Sequence, residues 1–224
     1  MNDSFRQAVG DFPRIPLTLR PESTAVLLID VQNDFCAPEG IYARNGLECP
    51  GIPALLGPLA EFLAASKQRA ARLINVRTEY ACGPDGAPVE AGLHIESRPF
   101  LKEDGLRPGS WGARTVEGEG FSGFDLEIVK VRFSSFFGTD LEERLRALNI
   151  ETVILTGVYT NYCVQATAFD AYQRNFRVVM AHDMMTTWDD DVHTGVLKGL
   201  SGFTNVLSAR EILDGLHAAQ AVRS

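Results

Sequence analysis

The sequence has no long apolar run and few histidines. Its unbroken apolar stretches, such as Ala25–Ile29, are far shorter than the roughly 20 residues that a membrane-spanning helix needs. Only four histidines are present, and they are dispersed, with no HxxxH pair. We therefore expect no membrane partner, no metal ion and no other cofactor.

Cysteine is also scarce. The four cysteines, Cys36, Cys49, Cys82 and Cys163, show no CxxC pair and no zinc-ligand spacing. The first residues lack the apolar core of a signal peptide, and such a chain with few thiols is predicted to be cytoplasmic and reduced. A structural disulfide is not expected, although Cys36 and Cys49 could meet across a loop.

Basic residues are fewer than acidic ones. The 224 residues include 21 lysines and arginines against 29 aspartates and glutamates, which gives a formal net charge of −8. An acidic surface repels nucleic acids and anionic membranes, so neither is expected as a partner. Small molecules or other proteins are the better candidates. The length and the 45% hydrophobic content are sufficient for one well-buried domain.

Short apolar runs alternate with longer amphipathic segments along the chain. The predicted strands cover residues 25–29, 73–76, 127–131, 152–156, 177–181 and 204–207. Helix starts are indicated by capping sequences at Thr139-x-x-Glu142, Thr187-x-x-Asp190 and Ser208-x-x-Glu211. This alternation predicts a three-layer α/β/α fold, Rossmann-like, with a six-stranded and mainly parallel sheet.

The predicted domain covers residues 24–224 and follows an N-terminal arm, residues 1–23. Residues 79–124 are rich in glycine, proline and charge and show no clear period. Irregular segments of this length are more often functional covers than linkers, so we expect this one to cover the active site.

Three chemically capable residues fall at the carboxyl ends of predicted strands, where open parallel sheets bind ligands. Asp30 ends the first strand, Lys130 lies at the end of the third, and Cys163 follows the fourth at a helix start. Taken singly, each has an ordinary structural interpretation as a turn, surface or core residue. Together they suggest a thiol whose pKa is lowered by a helix N-terminus and an ammonium group, beside a carboxylate base.

Three motifs carry a resemblance to a known family. DVQNDF (30–35), KVRFSSFFGTDL (130–141) and TGVYTNYCV (156–164) resemble the isochorismatase-like cysteine hydrolases, in particular the N-carbamoylsarcosine and ureidoacrylate amidohydrolase branch. The resemblance runs from about Thr24 to Leu213. It implies the fold of that family, a catalytic triad of Asp30, Lys130 and Cys163, and a homo-oligomer, either a dimer or a tetramer.

The resemblance also implies finer features of the site. These are a cis peptide between Val158 and Tyr159, and an oxyanion hole formed by the backbone N–H groups of Tyr159 and Cys163. Side chains proposed from the sequence to line the substrate pocket are Phe35, Trp111, Phe136, Asn161 and Tyr162.

The implied activity is hydrolysis of the C–N bond of a small amide, carbamoyl or ureido substrate through a cysteine thioester. Nicotinamidases of this family bind a metal through histidines, and Gly40–Gly57 contains none. One alternative is an isochorismatase-type vinyl-ether hydrolase that uses Asp30 without covalent catalysis. Others are a non-catalytic binding protein or a thiol sensor based on Cys163, although no resolving cysteine lies in the same helix or turn.

Overall fold

The sheet is the central layer of the fold. The fold is known from a computed structural model that describes residues 15–89 and 91–221, with side chains described as far as residue 216. Within these residues six strands form one sheet in the order β3-β2-β1-β4-β5-β6, and every neighbouring pair is parallel. The strands are β1 (Thr24–Ile29), β2 (Arg72–Thr78), β3 (Leu126–Lys130), β4 (Thr152–Val158), β5 (Arg177–Thr186) and β6 (Asn205–Leu207).

Helices connect the strands and cover both faces of the sheet. They are α1 (Asn33–Cys36), α2 (Ile41–Arg44), α3 (Ile52–Gln68), α4 (His94–Ser97), α5 (Leu141–Ala147), α6 (Gln165–Gln173), α7 (Asp190–Leu200) and α8 (Ala209–Ala221). Apolar residues of α3 and α8 belong to one buried core cluster, and those of α5, α6 and α7 belong to a second. The predicted three-layer α/β/α fold is therefore confirmed, with a fully parallel sheet.

The predicted helix starts had mixed outcomes. At Ser208 the capping box forms, since the Ser208 N–H donates to Glu211 Oε2 at 2.9 Å and the Glu211 N–H donates to Ser208 Oγ at 3.3 Å. The prediction of a capping box at Thr139 is wrong. Helix α5 begins at Leu141, and the N–H group that donates to the Thr139 hydroxyl is that of Leu141. Before α7 the cap is Asp189, two residues after the predicted Thr187, and its side chain accepts from the Val192 N–H.

The strand order reverses beside β1, between β1 and β4, and this reversal opens the crevice in which the site lies. Gly157 of β4 pairs with Ile29 of β1 and has φ +104°. A Cβ atom there would lie 2.1 Å from the Ile29 carbonyl oxygen, so only glycine allows the two strands to approach this closely.

The irregular segment of residues 79–124 is anchored by the first motif. The Gln32 amide donates to the carbonyls of Thr78 and Ala113, both at 2.8 Å, and accepts from the Thr78 N–H. Asp34 accepts from the N–H groups of Ile41 and Leu106. The motif residues after Asp30 therefore hold the segment against the ends of β1 and β2.

The predicted N-terminal arm lies partly outside the described residues, namely over residues 1–14. Of its remainder, Pro21–Ser23 form one 3₁₀ turn and Leu19 is buried in the core cluster that includes α3 and α8. No helix among residues 15–89 and 91–221 is both long and apolar enough to cross a bilayer.

Candidate active site

The carboxyl ends of the strands bring Asp30, Lys130 and Cys163 into contact. Asp30 follows β1, Lys130 is the last residue of β3, and Cys163 lies in the turn after β4. Lys130 Nζ is 2.8 Å from Asp30 Oδ2 and 3.4 Å from Cys163 Sγ. All three side chains are buried, with at most 7% of each residue exposed. The ammonium group therefore contacts the carboxylate and the thiol together, out of bulk water.

Thr78 is part of the same cluster and was not foreseen from the sequence. Because β2 lies between β1 and β3, Lys130 must reach across the end of β2 to meet Asp30. Thr78 ends β2, and its hydroxyl donates to Asp30 Oδ1 at 2.9 Å and accepts from Lys130 Nζ at 2.7 Å. The Arg132 carbonyl also accepts from Lys130 Nζ, at 3.1 Å. These contacts fix the direction of both charged groups.

Asp30 has a backbone conformation that non-glycine residues rarely adopt. Its φ is +55°, which lies in the left-handed region. The Gln32 N–H donates to the Asp30 carbonyl at 2.8 Å, and the Asp30 N–H donates to Val76 of β2. Such residues persist where surrounding contacts enforce them, and they are concentrated at functional sites.

The electrostatics of the cluster correct one expectation. Burial raises the pKa of the Cys163 thiol, and the charge of Asp30 raises it further, whereas Lys130 lowers it. Burial lowers the pKa of Lys130, but the charge of Asp30 and the hydrogen bonds to Asp30 and Cys163 more than offset this, so that pKa lies above its ordinary value. The prediction of a thiol with a lowered pKa is therefore wrong for the resting protein, in which Cys163 is protonated.

A protonated, buried thiol predicts slow alkylation. With iodoacetamide, the rate of Cys163 modification is expected to be low at pH 7 and to keep rising above about pH 8.5, the ordinary pKa of cysteine. Peptide mass mapping across pH measures this, and the exposed Cys82 serves as an internal reference. A plateau of Cys163 reactivity below pH 7 would show instead that the resting protein holds a thiolate.

The turn that carries Cys163 is a single π-helical turn, Thr160–Val164, which leads into α6. The peptide bond between Val158 and Tyr159 is cis, at the position where the resemblance implies one. The Thr167 hydroxyl donates to the Cys163 carbonyl at 2.7 Å and accepts from the Ser135 N–H. Single π turns occur frequently at functional sites. Here the turn presents the thiol to Lys130.

A cavity of about 290 Å³ opens above the cluster and is lined by both Asp30 and Cys163. The side chains that line it are mostly aromatic. Besides those two residues they are Phe35, Tyr42, Thr78, Tyr80, His94, Ser97, Arg98, Arg132, Phe133, Tyr159, Tyr162 and Trp188. Phe35 and Tyr162 therefore lie where the sequence placed them.

The other three proposed pocket residues lie elsewhere. Phe136 is buried in the core cluster that includes α5, α6 and α7, where its ring stacks on Phe176. Trp111 is 41% exposed, and its carbonyl accepts from the Asn33 amide, so it helps to anchor the irregular segment. Asn161 accepts from the Thr187 hydroxyl at 2.6 Å and does not line the cavity.

Residues 79–124 supply one wall of the cavity. His94 of α4 contacts two tyrosine hydroxyls, with Tyr80 at 2.8 Å from Nδ1 and Tyr42 at 3.3 Å from Nε2. Burial, with help from Arg98 and Lys130, lowers the pKa of His94 to about 4, so its ring is neutral at pH 7. This segment covers part of the site, as expected from its length.

The opposite wall is built around Tyr159. Its ring stacks on Trp188, with centroids 3.8 Å apart, and its hydroxyl donates to the Phe35 carbonyl. Trp188 in turn donates to the Leu47 carbonyl at 3.0 Å. No sequence pattern distinguished Trp188 from an ordinary core residue. Its place at the site results from its position directly after β5.

The described part of the chain holds no group of three or more histidine, cysteine, aspartate or glutamate side chains that could bind a metal ion. The cavity is lined by the thiol and the carboxylate, with guanidinium, hydroxyl and ring groups around them. The Lys130 ammonium contacts both the thiol and the carboxylate but is not one of the lining groups.

Known proteins resemble this chain in sequence and in fold. The ureidoacrylate amidohydrolase RutB of Methylobacterium radiotolerans is 27% identical over 202 residues, covering 84% of this chain and 77% of the relative. A cysteine hydrolase structure from Pseudomonas syringae matches with a TM-score of 0.82 at 23% identity, covering 94% of this chain and 100% of that one. An isochorismatase-like hydrolase from Alkaliphilus metalliredigens matches with a TM-score of 0.70 at 26% identity, covering 87% and 96% respectively.

The sequence model of the isochorismatase domain matches residues 24–211, which include all six strands and the Asp30, Lys130 and Cys163 cluster. A match over most of the chain, in agreement with the shared fold, is sufficient to assign the family. The chain belongs to the isochorismatase family of hydrolases.

Proposed function

We propose that this hydrolase cleaves the C–N bond of an amide, carbamoyl or ureido substrate through a thioester on Cys163. The observation that carries the proposal is the position of Lys130 Nζ, 2.8 Å from Asp30 and 3.4 Å from the Cys163 sulfur, where Asp30 and Cys163 line a cavity. A thiol, a carboxylate and a cation in mutual contact are the parts of an activated nucleophile. The curated relatives that match are named as amidohydrolases, which supports this class of reaction.

In the first half-reaction the Cys163 sulfur attacks the substrate carbonyl carbon while its proton passes to Asp30. The raised pKa of the thiol means that this transfer accompanies the attack and does not precede it. Lys130 then offsets the negative charge that develops on sulfur. The carbonyl oxygen becomes an oxyanion, for which we propose the N–H groups of Tyr159 and Cys163 as donors.

The tetrahedral intermediate collapses when the C–N bond breaks and Asp30 returns the proton to the leaving nitrogen. Ammonia or an amine leaves, and the acyl or carbamoyl group stays on Cys163 as a thioester. In the second half-reaction Asp30 takes a proton from water, the hydroxide oxygen attacks the thioester carbon, and the thiol leaves with that proton.

A vinyl-ether hydrolase that uses Asp30 alone is the second candidate. Such a reaction would not need a thiol in contact with the ammonium group. The Cys163 sulfur lies within reach of Lys130 and lines the cavity, which favours covalent C–N hydrolysis. The dimer or tetramer implied by the family resemblance stays a prediction.

The proposal is tested by an ammonia-release screen over simple amides, N-carbamoyl amino acids and ureido acids. Any substrate that is turned over is then mixed with the protein, quenched in acid and examined by intact-protein mass spectrometry. We expect an adduct with the mass of the acyl or carbamoyl group, located on the peptide that contains Cys163. Release of ammonia or amine with no adduct under single-turnover conditions would contradict the thioester route.

A further inference from the structure

Two arginines line the cavity without acidic partners. Arg98 donates from Nη1 to the Ser97 carbonyl, and its buried Nε has no hydrogen-bond partner. Arg132 donates from Nη1 to the Val131 carbonyl. Within the described residues neither guanidinium forms an ion pair, although eight other arginines of this acidic chain do.

The cavity has no spare negative charge to balance these arginines. Asp30 is the single acidic residue among its described lining residues, and its carboxylate is already bound by Lys130 and Thr78. His94, which lies between the two tyrosine hydroxyls, is neutral at pH 7. The unpaired guanidinium groups therefore give the lining a net positive charge that is suited to an anionic ligand.

The backbone of Arg132 also contacts the Asp30, Lys130 and Cys163 cluster. Its carbonyl accepts from Lys130 Nζ at 3.1 Å, so its backbone is fixed two residues after β3. Its guanidinium packs beside Gly92, where a Cβ atom would come within 3.2 Å of Nη2. Planar guanidinium groups bind carboxylates through paired hydrogen bonds, so a carboxylate is an anion that these arginines can hold.

The cavity is larger and more aromatic than a carbamoyl or ureido group alone requires. Its volume of about 290 Å³ is close to the range of roughly 300–1,000 Å³ that is typical of sites for drug-sized ligands. An outer cavity of about 580 Å³ shares Tyr80, His94, Ser97, Arg132 and Phe133 with it. Phe133 and Leu93 leave apolar surface exposed there, 40% and 77% respectively.

We propose that the site selects acidic substrates with a bulky apolar body. The amide or ureido group lies at Cys163, an aromatic or similarly large body packs among the rings, and the carboxylate binds Arg98 and Arg132. This inference rests on the proposed function for the identity of the scissile group. It adds two requirements for the substrate, a negative charge and a large apolar body. It assigns recognition of the charge to Arg98 and Arg132, which lie outside the Asp30, Lys130 and Cys163 cluster.

Binding without turnover tests the inference. Calorimetry with the Cys163→Ala variant compares three ligands, namely N-carbamoyl-phenylalanine, phenethylurea, which lacks only the carboxylate, and N-carbamoylglycine, which lacks the ring. We expect N-carbamoyl-phenylalanine to bind about 10- to 100-fold more tightly than phenethylurea, as charged hydrogen bonds to one or two guanidinium groups would give. N-carbamoylglycine should also bind more weakly.

The arginines are tested in the same background. Arg98→Met and Arg132→Met should each reduce the preference for the acid while leaving phenethylurea affinity nearly unchanged. Arg114→Met is the matched control, since Arg114 is an exposed arginine that does not line the cavity and lies, like Arg98, in the irregular segment of residues 79–124. Thermal unfolding checks that each variant is folded. If an arginine variant does not fold, the comparison of the three ligands in Cys163→Ala still tests the inference.

Equal affinity for N-carbamoyl-phenylalanine and phenethylurea, no binding of either, or an unchanged preference in both folded arginine variants would overturn the inference. Tighter binding of N-carbamoylglycine would overturn the size requirement. Failure of the proposed function is a separate result, because it is measured as absence of ammonia release and of a Cys163 adduct in the native protein.

Discussion

Replacement of Cys163 with alanine is expected to reduce product release by at least about 10⁴-fold, because the proposed reaction has no other atom that can form the thioester. The substitution removes one sulfur atom from a residue that is 7% exposed, so the fold should be retained. Substrate binding should also survive, since every other residue that lines the cavity is unchanged. Ammonia release and calorimetric binding, measured on the same preparation, separate these two effects.

The control for this variant is Cys82→Ala. Cys82 is exposed, lies in the irregular segment and does not line the cavity. Its replacement should leave turnover within about twofold of the native value, which shows that the loss is specific to one thiol. Near-native turnover by Cys163→Ala would exclude the thioester and favour water activation by Asp30 alone, as in vinyl-ether hydrolysis.

The strands were predictable because the apolar residues that form each of them are adjacent in the sequence. Thr24–Ile29 is buried along its whole length, and a strand covered on both faces is recognisable as a continuous apolar run. The end of β5 was not predictable in the same way. The chain continues as a strand from His182 to Thr186, beyond the apolar run, because residues 185 and 186 pair with β4 after a register shift.

The site was predictable only in part, because some of its residues are brought together by the fold and not by a local sequence pattern. Asp30, Lys130 and Cys163 could be placed together because the ends of parallel strands converge and because three motifs occur in order. Thr78, Trp188 and Arg98 lie outside the three motifs. Arg132 lies inside the second motif, but nothing in the sequence shows that it lines the cavity. Their positions depend on strand order and on the path of residues 79–124. The thiol pKa also depends on burial, which the sequence does not give.

Phe136 shows how a motif can mislead. It lies between Lys130 and Cys163 in the sequence, inside the second motif, and an aromatic residue there suggests a pocket wall. In the structure it packs on Phe176 in the core, and Phe133, three residues earlier, lines the cavity. Motif membership shows that a segment is near the site, but not which of its side chains face the substrate.

Replacement of Lys130 with methionine is expected to lower both activity and stability. The ammonium and the carboxylate are 0% and 1% exposed and 2.8 Å apart. Removal of one partner of a buried ion pair leaves the other charge uncompensated, which typically costs about 3–5 kcal/mol of unfolding free energy. Loss of the cation that stabilises negative charge on sulfur should also reduce kcat by about 10²- to 10³-fold. Urea unfolding and ammonia release measure the two effects.

A double variant separates the two roles of Lys130. When Asp30→Asn is combined with Lys130→Met, no charge is left uncompensated, and the Thr78 hydroxyl can still donate to the amide oxygen at position 30. Most of the lost unfolding free energy should therefore return. Activity should stay at least as low as in Lys130→Met alone, because no proton acceptor remains at position 30. Lys102→Met, a change at an exposed lysine, is the control for loss of one positive charge. If the double variant were as unstable as Lys130→Met alone, the loss would come from packing of the lysine chain and not from an unpaired carboxylate. Recovery of stability without recovery of turnover would show that the buried pair is retained for the chemistry at Cys163.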